Sequence, residues 1–319
     1  FKKNLNGYRF DNIAGALQNF TEIRLKEWFN NVSKKFKVKN FVFTGGVANN
    51  VKANKFLSEQ KFVNKLWVPP GPGDESLSLG AAYSYLYNFL GYKKCLNYIK
   101  VLENAYLGPS VSKSSIDLFK KNKLIKKNFK LIYDKNYNHV AKSIKEGEII
   151  FVCIGRQEFG QRALGHRSII CDPSKLELVK KINSSIKMRD FWMPFTPSIL
   201  DKKLKKYIKY NKKLNYNYMT SCVEATEIGK LHLKAAIHPG DYTVRPQKVT
   251  RASCPKYYKL IEQFSKISGI GAVLNTSLNM HEYPIVTHPN DIIKEIILNS
   301  KNLNYSILIE DHFFRRKKS

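Results

Sequence analysis

No apolar run in this 319-residue sequence approaches the roughly 18 to 20 residues of a membrane-crossing helix, and nothing in it resembles a signal peptide. Cysteine is sparse. The five that occur (Cys95, Cys153, Cys171, Cys222 and Cys254) are scattered and never form a C-x-x-C pair. That spacing argues against a zinc ribbon or a disulfide frame and for a reducing, cytoplasmic setting. The sequence has no G-x-x-x-x-G-K-[ST], no G-x-S-x-G and no H-E-x-x-H. A Walker-type loop, a hydrolase nucleophile elbow and a helix-borne zinc site are thereby set aside. Gly269-Ile270-Gly271 lacks the third glycine of a dinucleotide fingerprint, and no internal repeat is evident. Acidic residues are also few: 25, against 55 lysines and arginines, for a net charge of +30.

The basic surplus is mostly lysine, spread along the whole length beside asparagine, isoleucine and tyrosine. It reads as compositional drift, and dense runs such as Lys202-Lys203-Leu204-Lys205-Lys206 read as solvated faces. A non-catalytic, basic nucleic-acid-binding module stays as an alternative, without a reader motif to support it. The length allows two domains, and 43% hydrophobic residues fit a globular chain.

Against this lysine background, three arginines cluster. Gly155-Arg156-Gln157-Glu158-Phe159-Gly160-Gln161-Arg162-Ala163-Leu164-Gly165-His166-Arg167-Ser168 follows the run Glu148 to Ile154, which reads as a buried strand. A strand that empties into a glycine-rich, arginine-rich turn suits an anion. Glycine lets backbone N–H groups approach closely, and each guanidinium offers a planar fork that fits phosphate or carboxylate.

The remaining signals lie along the chain. Residues 11–36 read as an amphipathic helix with Asp11 as its cap and Ile13, Leu17, Phe20 and Trp28 as its apolar stripe. Phe41 to Phe43 reads as a strand ending in Thr44-Gly45-Gly46-Val47-Ala48-Asn49-Asn50, where a glycine pair before a helix favours a phosphate or nucleoside group. A turn, Pro72-Gly73-Asp74, precedes a helix from Leu77 to Leu90; Asp74 is either its cap or a ligand to a metal or hydroxyl. Tyr106-Leu107-Gly108-Pro109 marks a boundary. Asp172 to Ser185 reads as a helix, and Lys187-Met188-Arg189 as an extended segment with both cations on one side. Leu231 to Ile237 reads as a strand leading to Arg245 and to His238, which is either structural or an acid/base or ligand. Ala272 to Leu274 reads as a strand ending in Asn275-Thr276-Ser277-Leu278-Asn279, whose amides and hydroxyls suit phosphate or ribose. Tyr305 to Ile309 reads as the closing strand.

In order and spacing these motifs resemble the carbamoyltransferase family of nodulation-type and antibiotic O-carbamoyltransferases. The matching stretches are Thr44 to Asn50, Pro72 to Asp74, Tyr106 to Pro109, Gly155 to Ser168 and Asn275 to Asn279. The resemblance implies an α/β chain. Residues 1–107 would be the C-terminal part of an actin-like ATPase-type domain, and residues 108–319 a YrdC-like domain that forms carbamoyl-adenylate. It implies ATP with Mg2+ and carbamoyl phosphate as substrates, a small-molecule hydroxyl or amine as acceptor, and a divalent transition metal, expected to be iron, in the transfer domain. A related activity, tRNA threonylcarbamoylation, is the alternative within enzymes.

The resemblance makes Arg156, Arg162, Arg167, Lys187 and Arg189 the catalytic charge cluster. Gly45, Gly46, Asn49, Glu158, Arg245, Asn275, Ser277 and Asn279 become the nucleotide and carbamoyl-phosphate contacts, with Glu158 orienting an arginine, and Asp74 becomes the metal ligand. Gln161 stands where the family usually has proline. The family's paired-histidine metal motif would lie upstream of Phe1, so the sequence is read as an N-terminally truncated fragment.

Overall fold

The computed structural model describes residues 2–99, 102–190, 192–298 and 303–317. Its frame is one mixed sheet of eight strands. These are β3 (Phe129–Tyr133), β4 (Ile149–Cys153), β5 (Arg167–Cys171), β6 (Thr196–Leu200), β9 (Gln247–Val249), β10 (Ala272–Ser277), β11 (Tyr305–Ile309) and β12 (His312–Arg316). Two smaller pairs join β1 (Asn40–Val42) to β2 (Lys65–Trp67) in parallel, and β7 (Val223–Glu224) to β8 (Thr243–Val244) antiparallel. The large sheet runs β3-β12-β11-β4-β5-β10-β6-β9. Only the β11–β4 and β6–β9 neighbours are parallel.

The central strands are apolar on both sides because both faces of the sheet are covered. Along β4, Ile150 and Val152 join one core while Ile149, Phe151 and Cys153 join the other, the period-2 alternation of a pleated strand. The helix Pro255–Ser268 buries Tyr257, Leu260, Ile261 and Phe264 on the first face. Ile182, Ile186, Ile292 and Ile296 cover the second. All five cysteines are free and buried. Among the described residues, no helix is long and apolar enough to cross a membrane.

Residues 54–66 dock on the stretch 211–220, which borders β9, through polar bonds as well as apolar contact. Asn54 Nδ2 donates to Thr220 O at 2.8 Å, Leu66 N donates to Lys213 O at 2.9 Å, and Asn211 Nδ2 donates to Ser58 Oγ at 2.9 Å.

Several expectations change. The first long helix is Phe10–Phe36, but its side chain inventory is rotated: Leu25, Phe29 and Ser33 are buried, while Leu17, Phe20 and Trp28 face out. Asp11 does not cap it; its carboxylate bonds Arg9 instead. Leu231 to Ile237 is not a strand. Thr226 caps a short helix, Glu227–His232, which passes into a turn at Lys234–Ala236. The expected helix at Asp172 starts only at Leu176, because Asp172 Oδ1 closes a turn on Ser174 N at 2.9 Å. Tyr305 to Ile309 does not close the fold: β12 follows it and sits between β11 and β3.

Candidate active site

One end of the large sheet gathers the loop 154–166, the start of β5, the end of β10 and the start of β6. The register explains it: Ser168 lies opposite Ser277, and Asn275 opposite Thr196. Against this end opens a cavity of about 1380 Å³. Arg162, Arg189 and Arg245 all line it, and all three also line a small adjoining niche with Asn275 and Ser277. Residues from the front of the chain, including Phe10, Gln18 and Lys52, form the opposite wall.

The three guanidinium groups are short of counter-charge. Among the described residues, arginine ion pairs involve Arg9, Arg24, Arg251 and Arg315, not these three. Glu75 acts on Arg162 only at longer range. Burial lowers the proton affinity of all three, and the positive neighbours lower it further at Arg189 and Arg245. Arg245 is pushed down to about 9, and its buried Nε has no hydrogen-bond partner. Arg189 lies over the Phe195 ring, 5.4 Å from its centroid. Three like charges held together without an anion is an arrangement that a polyanion would relieve.

Lys187 sits behind them, 2% exposed. It is not on an extended segment. It ends a π-helical turn, Asn183–Lys187, and Met188 turns back with φ 43°. Its Nζ donates to Ser277 Oγ at 3.0 Å, Asn279 O at 3.0 Å and Asn279 Oδ1 at 2.6 Å. Ser277 Oγ spends its own hydrogen on Asn279 Oδ1, so all three partners accept, which suits an ammonium. Burial and Arg189 oppose that charge and push Lys187 down to about 6. A bound anion is what would restore it.

Other expected members lie elsewhere. Arg156 is exposed and donates to the carbonyls of Gly108 (2.9 Å) and Leu107, so it ties the linker to the loop. Arg167 is fully buried, and its guanidinium is spent on carbonyls, among them Ile154 O at 2.8 Å and Thr287 O at 3.0 Å. Glu158 does not orient an arginine side chain. Its Oε1 accepts from the backbone N–H of Leu164 (2.7 Å), His166 (2.7 Å) and Arg167 (3.1 Å). The loop amides that suited an external anion are thus filled by an internal carboxylate. Asn275 is buried and holds the loop, with Nδ2 donating to Ala163 O at 3.1 Å. His238 lines the cavity beside Asp241, whose carboxylate also pairs with Lys52.

The glycine motif forms a second cluster. Gly45 takes φ 99° and donates its N–H to Pro72 O at 2.6 Å, which brings the two front motifs together; Gly46 and Asn49 bound the turn that follows. Asn49 approaches Gly73, and Asp74, exposed, opens the turn leading to the helix Leu77–Leu90. Among the described residues, no group of three or more His, Cys, Asp or Glu side chains could hold a metal ion. Asp74 brings a single carboxylate, so the residues present do not by themselves fit the implied transition metal. Trp192, Phe195, Thr196 and Lys52 also line the cavity, and no motif in the sequence singles them out.

The carbamoyltransferase C-terminus description matches residues 141–316, and the carbamoyltransferase N-terminus description matches residues 2–146. The chain belongs to the carbamoyltransferase family. An uncharacterized protein of Methanocaldococcus jannaschii is 33% identical over 309 residues, covering 96% of this chain and 49% of its own length. Nodulation protein NolNO of Sinorhizobium fredii is 30% identical over 260 residues, covering 80% of this chain and 37% of its own. The chain spans about half the length of curated relatives that it matches. Among solved structures, full-length HypF in its phosphate- and nucleotide-bound form gives a TM-score of 0.39 at 18% identity, covering 55% of this chain and 27% of that one. Within the carbamoyltransferase frame, the arginine and lysine cluster falls in the C-terminal match, and Gly45, Gly46, Asn49 and Asp74 fall in the N-terminal one.

Proposed function

We propose that the large sheet binds the phosphates of ATP and of carbamoyl phosphate at Arg162, Arg189, Arg245 and Lys187, and forms carbamoyl-adenylate there. The observation that carries this reading is the convergence of three guanidinium groups on one cavity without a carboxylate partner. Water cleaves carbamoyl phosphate to carbamate and phosphate. A carbamate oxygen then attacks the α-phosphorus of ATP, the bond to the β-phosphate breaks, and pyrophosphate leaves with the electron pair. Both steps develop charge on phosphoryl oxygens, and such chemistry is mostly positioning and charge stabilisation. Ser277 and Asn279 hold Lys187 toward that charge.

The cavity, at about 1380 Å³, exceeds the roughly 300–1,000 Å³ of ordinary small-molecule pockets. It has room for a nucleotide together with a second reactant. In this reading residues 1–107 are the C-terminal part of an actin-like domain, where Gly45, Gly46 and Asn49 approach the adenylate, and residues 108–319 are YrdC-like. The carbamoyl group passes to a hydroxyl or amine of a small molecule, in the cytoplasm.

ATP–pyrophosphate exchange dependent on carbamoyl phosphate tests the first half. Exchange is expected, and Arg162→Ala is expected to slow it about ten- to a thousandfold, as for loss of one charge-stabilising donor. Absence of exchange by the full-length protein would rule the reading out.

A further inference from the structure

Arg162 and Arg245 reach the anion wall from two separate segments, and like charges held this close repel each other. Something must hold them in register while the site is empty. A direct tie joins the segments close to both arginines. Gln247 stands two residues after Arg245, and its Nε2 donates to Leu164 O at 2.7 Å, two residues after Arg162. Gln247 is itself 3% exposed and fixed in orientation. Its Oε1 accepts from Ser198 Oγ at 2.6 Å, and Ser198 Oγ accepts in turn from Asn275 Nδ2 at 3.0 Å. A flipped Gln247 amide would set two oxygens face to face at Leu164.

The neighbouring carbonyl is held as well, since Asn275 donates to Ala163 O. Leu164 O takes a second bond, from Tyr106 Oη at 2.9 Å. The loop also lies too close to the helix behind it to slide: a Cβ at Gly165 would come within 2.2 Å of the Tyr257 ring.

We propose that Gln247 is a positioning residue that sets the separation of Arg162 and Arg245 for phosphate, through its bond to Leu164 O and with Ser198 and Asn275 fixing its amide. The proposal rests on the reading of these arginines as the phosphate site. It separates residues that touch the anion from a residue that acts only through them.

The test is a double-mutant cycle on the full chain, with pyrophosphate affinity measured by titration calorimetry. Gln247→Leu is expected to weaken binding about tenfold, within the coupling range of residues in contact. In an Arg162→Ala background the same substitution should cost almost nothing, because its target is gone. A purely structural role would give equal losses in both backgrounds. Equal losses, or no loss in Gln247→Leu alone, overturn the proposal. Unchanged affinity in Arg162→Ala instead overturns the phosphate site itself, so the two failures are distinguishable. Should Gln247→Leu not fold, Gln247→Met decides, since it removes the same donor to Leu164 O with an unbranched side chain of similar length. Its expected loss is again about tenfold and masked by Arg162→Ala. A Gln247→Met protein with unaltered affinity overturns the proposal.

Discussion

Residue by residue, the site is an arrangement of charges held by polar groups buried behind the cavity wall. Glu158 and Gln247 never face the cavity, yet between them they hold the N–H groups of residues 164, 166 and 167 and the carbonyl of residue 164. Gly165 shows how little slack remains. It has φ 110° and no room for a methyl group against Tyr257. Gly165→Ala should therefore destabilise the fold by about 1–3 kcal/mol or more, as for overpacking in a core. A urea midpoint within error of the parent would contradict that. Lys187 supplies a pH signature. Its folded proton affinity, about 6, lies below that of an unfolded lysine. Between those two values the unfolded chain binds more protons, so this group makes stability rise with pH from about 6 toward 10. On the proposed reading of the site, bound phosphate would reverse the shift. Titrating phosphate at pH 8 in buffers of different ionisation enthalpy should show proton uptake, and Lys187→Met should abolish it. Equal uptake by the variant would clear Lys187 of the effect.

At the scale of elements, strands were more legible in the sequence than the packing of helices. The runs at Ile149 to Ile154 and Ala272 to Leu274 are apolar on both sides, so β4 and β10 stand out without any partner. β6 does not, because Pro197 sits inside it opposite Leu274, and proline argues against a central strand. The arginine loop was legible as a loop, but its division of labour was not. Arg156, Arg162 and Arg167 are the same residue type within twelve positions, and only the fold shows two of them spent on carbonyls. The helix Phe10–Phe36 was legible in extent, while its buried face depends on where β1 and β2 lie. The helix Leu77–Leu90 carries large apolar side chains and buries none, with Tyr85 at 65% and Phe89 at 72% exposure. Tyr85→Ser and Phe89→Ser should each change the stability of this chain by no more than about 0.5 kcal/mol, the usual range for surface positions. A larger drop in chemical denaturation would mean that those rings are covered.

For the whole molecule, a net charge of +30 is a standing self-repulsion that salt screens. Raising sodium chloride from low to physiological concentration should raise the melting temperature. Sulfate at equal ionic strength should raise it further, because a doubly charged oxyanion also satisfies Arg162, Arg189 and Arg245. Equal shifts with the two salts would separate general screening from a specific site. The cavity itself has a mechanical consequence. Its walls come from residues 9–18 and 51–52 on one side and from residues 162–245 on the other, so a ligand filling it acts as a keystone between stretches remote along the chain. Occupancy then stiffens the first long helix, and amide exchange in its opening turns reports on a molecule bound against the far wall.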